Sequence, residues 1–363
     1  MGQRSTINGL LLGIVVAVST LTVGCGATTA TGTSGQASTT ASRTTVASRT
    51  STTDPVVPGD PLSQVSFYIP ASPAVAEDAQ LRAAGALSDA RALAHLAAEP
   101  TATWITGPAG IATARTLIAR ASAAKRSALL VAYDIPDRDC GGFSAGGASS
   151  STAYRAWIGA LAATIGSHTA TVIIEPDAIP QMFDSTCLPA SMQSERLSLL
   201  RFAVDTLRAK PNVTAYLDAG NPGWIKPASR LVAPLRAAGI ARASGFSLNV
   251  SNFYATDDVL AYGRTLSAAL GGAHYVIDTG RNGNGPAPAS ASGPGPSWCN
   301  PPGRALGTNP TTHTGQPDVD AFLWIKPPGS SDGACRSGNP PAGHWMGQYA
   351  LELALAAPNQ PSS

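Results

Sequence analysis

The stretch Thr171-Val-Ile-Ile-Glu-Pro-Asp-Ala-Ile-Pro180 carries the strongest fold signal in the chain. Its first part, Thr171–Ile174, is a β-branched run that is typical of a strand buried on both faces. Two carboxylates, Glu175 and Asp177, follow at once. Because burial favours the protonated form of a carboxyl group, an acid placed here can serve as a proton donor near neutral pH. A helix-capping role for Asp177 explains the same pattern equally well. The rest of the sequence is needed to distinguish a proton donor from a helix cap.

Short apolar runs alternate with Ala- and Leu-rich helical stretches on both sides of this segment. The candidate strands are Val65–Ile69, Thr101–Ile105, Ala128–Tyr133, Thr171–Ile174, Thr214–Asp218, Gly245–Asn249, His274–Asp278 and Asp320–Lys326. The candidate helices are Glu77–Ala98, Ile111–Ala123, Ala153–Ile165, Ser191–Lys210, Pro227–Ala238, Asp257–Leu270 and Gly347–Ala356. This alternation predicts parallel βαβ units and an α/β fold related to the (β/α)8 barrel. An open doubly wound sheet is the alternative, and segment 280–317, rich in Gly and Pro without a clear helix, fits a barrel least well.

Composition excludes several classes of protein. The chain has 363 residues, of which 44% are hydrophobic and 13% charged, which describes a packed globular protein. Its net charge of +2 provides no basic surface for nucleic acid. The 37 glycines and 29 prolines indicate long, shaped loops around a regular core.

The first 60 residues differ from the rest. Residues 1–25 predict a signal peptide, with Arg4 before the apolar run Leu10–Val18, which is short for a membrane span. The run ends near Leu21-Thr-Val-Gly-Cys25, which resembles a lipobox, although the leucine lies one place further from the cysteine than usual. We therefore expect a secreted, extracellular protein, with membrane anchoring through a lipidated Cys25 and an ordinary secretory signal as the two alternatives. Residues 26–60, rich in Thr, Ser, Ala and Gly, predict a disordered tether.

Acidic residues follow five of the eight candidate strands. They are Asp134, Asp137, Asp139, Glu175, Asp177, Asp218, Asp278 and Asp332. In barrels of this class the chemistry takes place at the carboxyl ends of the strands. The chain has only 22 acidic residues, and helix caps would account for one or two of these positions. The pattern predicts an acid-lined site, in which Asp137 and Asp278 are the residues most consistent with a structural role.

The cysteines fall in the same loops. They are Cys25, Cys140, Cys187, Cys299 and Cys335. Without Cys25 an even number is left, which an oxidising compartment would pair in one of three ways. Pairing Cys140 with Cys187 and Cys299 with Cys335 would join neighbouring loops and hold them still.

The residue types limit the classes of reaction that the predicted site could catalyse. The five histidines show no ligand spacing, and the chain has no Gly-x-Ser-x-Gly or phosphate-loop motif. We therefore expect no metal and no cofactor, although a hard-cation site of aspartates alone stays open. Paired carboxylates of this kind point to glycoside hydrolysis. Trp104, Trp224 and Trp298 lie near the acids, where indoles stack on sugar rings, whereas Trp157 and Trp324 are expected in the core.

Six motifs in order, from Ser66 to Ala356, resemble glycoside hydrolase family 6, the inverting cellulases. The motifs are Tyr133–Cys140, Ile174–Asp177, Tyr216–Trp224, Val276–Gly285, Trp298–Gly307 and Asp320–Gly333. The resemblance implies a distorted, seven-stranded TIM-like barrel and a single catalytic domain over residues 61–363. It further implies a β-glucan substrate, no cofactor and a monomer.

The resemblance also implies roles for individual residues. Asp177 would be the general acid, and Asp139 would raise its pKa and position water. Tyr133 would press on the distorted sugar ring, and Asp332 would correspond to the proposed base. The residues expected to bind glucose units are Trp104, Asp218, Asn221, Trp224, Asn252, Arg281, Trp298 and Lys326. Glu175 is expected to be a buried hydrogen-bonding neighbour.

Two departures from the family pattern and one loop length bear on activity. Asn221 stands where family members commonly carry His, and Ser330 where they carry Glu. These departures support an alternative, a cell-surface glucan-binding lipoprotein with weak or lost hydrolase activity. The short segment Ser330–His344 predicts an open cleft, and therefore an endoglucanase that cleaves internal β-1,4 bonds rather than an exo-acting cellobiohydrolase.

Overall fold

The computed structural model describes residues 59–288, 290 and 295–357. These residues belong to one compact unit, Thr53–Ser363. The predicted signal peptide, Cys25 and the tether up to residue 58 lie outside the described residues.

Seven parallel strands form one sheet in the order of the chain, β1 to β7. Their bounds are β1 Thr103–Ile105, β2 Ala128–Ala132, β3 Ala170–Ile174, β4 Val213–Asp218, β5 Gly245–Leu248, β6 Tyr275–Asp278 and β7 Val319–Leu323. The sheet curls until Thr101, just before β1, forms a single parallel bridge with Trp324, just after β7. The first and last strands thus meet at one point in the described part, which is the distorted, seven-stranded barrel that was predicted.

Helices alternate with the strands. They are α1 Ala74–Ala83, α2 Leu87–Ala97, α3 Gly107–Ala123, α4 Ser151–Ile165, α5 Ala190–Arg208, α6 Val232–Ala237, α7 Thr256–Ala269 and α8 Gly347–Leu355. Within the described ranges, no helix has both the length and the apolar character needed to cross a bilayer.

Two predicted elements were wrong. The candidate strand Val65–Ile69 forms only one bridge, between Phe67 and Ser127, because β1 pairs with β2 from Leu130 onward and leaves little edge free. The candidate helix Glu77–Ala98 is two helices, α1 and α2, since the chain breaks at Gly85. The φ of 77° at this glycine lies in the left-handed region that ends helices.

Both faces of the sheet are buried, as the β-branched run predicted. Val172 and Ile174 of β3 pack against the helices, whereas Ile173 points into the barrel interior with Leu129 and Val131 of β2. Apolar residues therefore fill the strands along their length. The acids that line the cleft follow only where the strands end.

Two helical glycines provide a matched test of this packing. Gly263 of α7 faces Tyr275, and a Cβ there would lie 2.4 Å from the ring of this fully buried tyrosine. Gly263→Ala should lower the free energy of unfolding by about 2 kcal/mol, because the ring has no room to move. A Cβ at Gly159 of α4 would meet nothing within 4 Å. Gly159→Ala should raise stability by about 1 kcal/mol, the difference in helix propensity. Urea unfolding of both variants checks the pair, and equal effects would contradict this packing.

Candidate active site

A cleft of about 1290 Å³ lies at the carboxyl ends of the strands. Ten of the predicted site residues line it: Trp104, Tyr133, Asp139, Asp177, Asn221, Trp224, Asn252, Trp298, Lys326 and Asp332. The two that do not are Asp218 and Arg281. The sheet thus brings together side chains that are more than 200 residues apart in the chain, because parallel strands end on one rim.

Asp177 sits at the end of β3 on a constrained backbone. Its φ is 70° and that of Glu175 is 48°, both in the left-handed region that non-glycine residues seldom adopt. Its backbone N–H donates to Oδ2 of Asp218 over 2.9 Å. Burial raises the pKa of Asp177 well above its usual value, and the negative charges of Asp218 and Asp139 raise it further. The raised pKa favours the protonated form of this carboxyl group, which can donate a proton.

Glu175 is a buried side chain that links β3 to β2 through hydrogen bonds. Its carboxylate accepts hydrogen bonds from the backbone N–H groups of Asp134 and Ile135, each at 3.0 Å. Burial raises its pKa to about 7, against the effect of these bonds. Glu175 does not line the cleft, so it has the buried hydrogen-bonding role predicted for it.

Asp139 lies on the short turn Asp139–Gly141 after β2, beside the mouth of the cleft. Its Oδ2 accepts the backbone N–H of Ser144 over 2.6 Å. Burial raises the pKa of Asp139, while this hydrogen bond and the charge of Arg138 oppose the rise. The turn therefore holds a second carboxyl group close enough to Asp177 to influence its protonation.

Asp332 has the opposite electrostatic environment. Arg281 donates two hydrogen bonds to its carboxylate, at 2.8 and 3.0 Å, and Nζ of Lys326 lies 3.5 Å away. The backbone N–H of Asn300 donates a further bond of 3.0 Å. Burial alone would raise the pKa of Asp332, but Arg281 and Lys326 hold it below its usual value. The lowered pKa favours the ionised form of Asp332, in the same cleft in which the raised pKa of Asp177 favours the protonated form.

Asp218 and Arg281 lie behind the cleft wall, each only 1% exposed. Asp218 holds the backbone of Asp177, and burial raises the pKa of Asp218 to about 6. Arg281 stacks over the ring of Phe253 at 4.4 Å and binds Asp332. Both side chains thus contact residues that line the cleft, whereas their predicted contact with sugar stays a prediction.

The aromatic side chains line the cleft on both sides of the acids. Trp104 donates Nε1–H to the carbonyl of Ile325 over 2.9 Å, and its ring meets Tyr133 edge-on, with 5.0 Å between centroids. Trp224 and Trp298 are 41% and 46% exposed, which leaves much of each indole free for a ligand. Trp157 and Trp324 are buried, as predicted.

Two disulfides hold the loops that carry the acids, and their pairing is the one favoured from the sequence. Cys140–Cys187 ties the loop of Asp139 to the segment after β3. Cys299–Cys335 closes a loop around the segment that contains Asp332, with a sequence separation of 36. Both links restrict the loops where side chains must keep their geometry.

Sequence reasoning missed several lining residues, among them Phe143, Gln181, Tyr254 and Trp345. Phe143 follows β2, and its ring lies 6.2 Å from that of Trp298 and against Gly333. Trp345 lies two residues before the start of α8. Their position in the loops after strands is the sequence signal that could have identified them, because residues in these loops line the cleft. In the described ranges, no three His, Cys, Asp or Glu side chains are grouped as metal ligands.

An acid-lined cleft with exposed indoles, at the carboxyl end of a (β/α) barrel, is the site of a glycoside-hydrolase-like protein. The family model of Glycosyl hydrolases family 6 matches residues 62–357. The chain belongs to this family.

Relatives of known name agree with this assignment. Endoglucanase A of Thermobispora bispora is 42% identical over 270 residues, covering 72% of this chain and 56% of that protein. Endoglucanase A of Cellulomonas fimi is 40% identical over 277 residues, covering 74% of this chain and 57% of that protein. The chain therefore spans little more than half the length of these two relatives.

A solved structure confirms the fold. The endoglucanase Cel6 from Mycobacterium tuberculosis, in complex with methyl-cellobiosyl-4-deoxy-4-thio-β-D-cellobioside, superposes with a TM-score of 0.74 at 44% sequence identity. The match covers 82% of this chain and 99% of that one.

The charge coupling between Asp139 and Asp177 is directly testable. Asp139→Asn should lower the pKa of Asp177, because the negative charge of Asp139 is one of the causes that raise it. Carbon-13 NMR of the side-chain carboxyl groups during a pH titration measures this pKa. Asp184→Asn is the matched control, since Asp184 lines the cleft but is fully exposed. An unchanged pKa in Asp139→Asn would contradict the electrostatic arrangement.

Proposed function

We propose that this protein is an endo-β-1,4-glucanase that hydrolyses internal bonds of cellulose or a related β-glucan with inversion at the anomeric carbon. The observation that carries the proposal is that one indole-lined cleft holds Asp177, whose pKa is raised, together with Asp332, whose pKa is lowered by Arg281 and Lys326. Inverting glycosidases need one carboxylic acid and one carboxylate on opposite faces of the sugar.

Asp177 is the proton donor in this mechanism. Its proton passes to the glycosidic oxygen as the bond to the anomeric carbon breaks. Asp218 and Asp139 keep the proton on Asp177 until then, because their charges raise its pKa. Tyr133, fixed edge-on against Trp104 and with its carbonyl bound by Arg138, holds the sugar ring at the cleavage point.

Water completes the reaction from the opposite face. It forms the new bond to the anomeric carbon and loses a proton to a carboxylate, for which Asp332 is the candidate. Both oxygens of Asp332 are held by Arg281, which weakens it as a base. The same contacts keep it negatively charged, and a negative charge stabilises the cationic sugar of the transition state.

Two features bear on endo or exo action. Segment 330–344 folds back on itself, with an antiparallel bridge between Ser330 and Trp345, and the relatives named above are endoglucanases. These observations support endo action on an open cleft. The contact of Phe143 with Gly333 joins the loops after β2 and β7 and favours the exo alternative, in which the glucan chain is enclosed.

Export is part of the proposal. Two disulfides among the described residues support a secreted protein, since such bonds persist in oxidising compartments. Anchoring through a lipidated Cys25 rests on the lipobox-like sequence alone. We propose a monomer that acts outside the cell.

Asp177→Ala tests the catalytic assignment. Loss of the general acid should lower kcat/KM on cello-oligosaccharides about 10²- to 10⁴-fold. The loss should be far smaller on a dinitrophenyl β-cellobioside, whose leaving group departs without a proton. Asp184→Ala, which removes an exposed carboxylate at the same cleft, is the control and should retain activity.

Proton NMR of the first wild-type product completes this test, because inversion releases the α-anomer. A β-anomer, or full activity of Asp177→Ala on unactivated glucan, would overturn the proposal.

Viscosity distinguishes endo from exo action. Endo cleavage of carboxymethylcellulose should lower viscosity well before reducing ends accumulate, because each internal cut shortens the chain greatly. Phe143→Ala is an informative companion variant, since it removes the ring, although not the Cβ, that lies against Gly333. A viscosity loss that lags behind reducing-sugar release in the wild type would favour exo action.

A further inference from the structure

The cleft extends past Trp104 to a region where no site residue was predicted. Its lining there comes from segment 70–73, from Thr101 and Thr103, and from His344 and Trp345. This end lies where β1 and β7 are joined by one bridge only, among the residues described. We call this side of the cleft, which is lined by residues of the segments around β1 and after β7, the outlet.

Trp345 is held firmly at this outlet. Its backbone forms an antiparallel bridge with Ser330, and its Nε1–H donates to Oε1 of Glu77 over 3.0 Å. Its ring packs on Gly329 so closely that a Cβ there would lie 2.6 Å from a ring carbon. The indole is only partly buried. A side chain fixed in this way can bind a ligand without further loss of rotamer freedom.

The side chains that line this end of the cleft are of the types that bind a sugar. A pyranose presents an apolar face of C–H groups to an indole and hydroxyl groups at its edge. The hydroxyl groups of Ser72, Thr101 and Thr103 line the same part of the cleft and can bind those hydroxyls. No carboxyl group is among the described cleft residues of this end, so the region is a binding surface and not a second catalytic centre.

Building on the proposed function, we propose that Trp345 forms an additional sugar-binding platform, which takes the glucose unit next beyond the one on Trp104. Glu77 is its positioning residue, because it fixes the indole through Nε1. The consequence is a preference for longer glucan chains, since only these reach from the acids past Trp104 to Trp345.

The test is the dependence of activity on chain length. Trp345→Ala should lower the ratio of kcat/KM on cellohexaose to that on cellotriose about five- to tenfold, the effect of one aromatic contact. Trp345→Phe should restore most of the ratio, because it keeps an aromatic face. Glu77→Ala should lower the ratio in part, whereas Glu77→Gln keeps an acceptor for the indole and should preserve it. Thermal unfolding of each variant reports its folding separately.

Three results would overturn the platform. They are equal losses of kcat/KM on both substrates, no loss at all, and a ratio in Trp345→Phe as low as that in Trp345→Ala. Calorimetry in an Asp177→Asn background separates this inference from the proposed function. If the wild type hydrolyses no β-glucan but Trp345 still adds affinity for cellohexaose over cellotriose, the hydrolase proposal falls and the platform stands. If the protein binds neither oligosaccharide, both are overturned.

Discussion

Hydrogen bonds from backbone amides to the carboxylates that end the strands hold the rim of this barrel together. Glu175 at the end of β3 accepts from the amides after β2, and Asp218 at the end of β4 accepts from Asp177 after β3. Asp278 at the end of β6 accepts from Ser251 after β5 and from Lys326 after β7. Each carboxylate thus links its strand to a neighbour, where the parallel ladder has ended and amides would otherwise lack partners.

These hydrogen-bonded carboxylates also influence the pKa values of the acids in the cleft. Asp218 brings its negative charge next to Asp177 because it holds the backbone of that residue, and this charge helps to keep Asp177 protonated. Asp332 lies across the cleft with Arg281 and Lys326 and is kept ionised. The surroundings of two chemically identical side chains therefore favour opposite protonation states, which is the requirement for acid-assisted displacement by water. The scaffold and the proposed catalytic chemistry depend on the same contacts.

The sequence predicted the alternation of strands and helices, because buried strands require continuous apolar runs such as Thr171–Ile174. It also predicted the acid-rich rim, since strand ends are marked by the change from apolar to polar residues. The strand pattern alone could not divide those acids between structure and cleft; the family resemblance separated Asp177 from Glu175 but placed Asp218 among the sugar-binding residues. That division depends on the left-handed backbone of Glu175 and Asp177, which turns one carboxylate toward β2 and the other into the cleft.

The opposite end of the barrel shows why position, and not acid content, defines the site. Asp320 at the start of β7 is fully buried, accepts the hydroxyl hydrogen of Tyr216 over 2.7 Å and lies 2.6 Å from Nδ1 of His274. Leu62, also fully buried, joins the apolar residues of the interior. Asp320 thus meets side-chain partners and a closed interior, and it does not line the cleft. At the carboxyl end the loops diverge and leave space for a polymer, so the same residue type becomes accessible to a substrate only there.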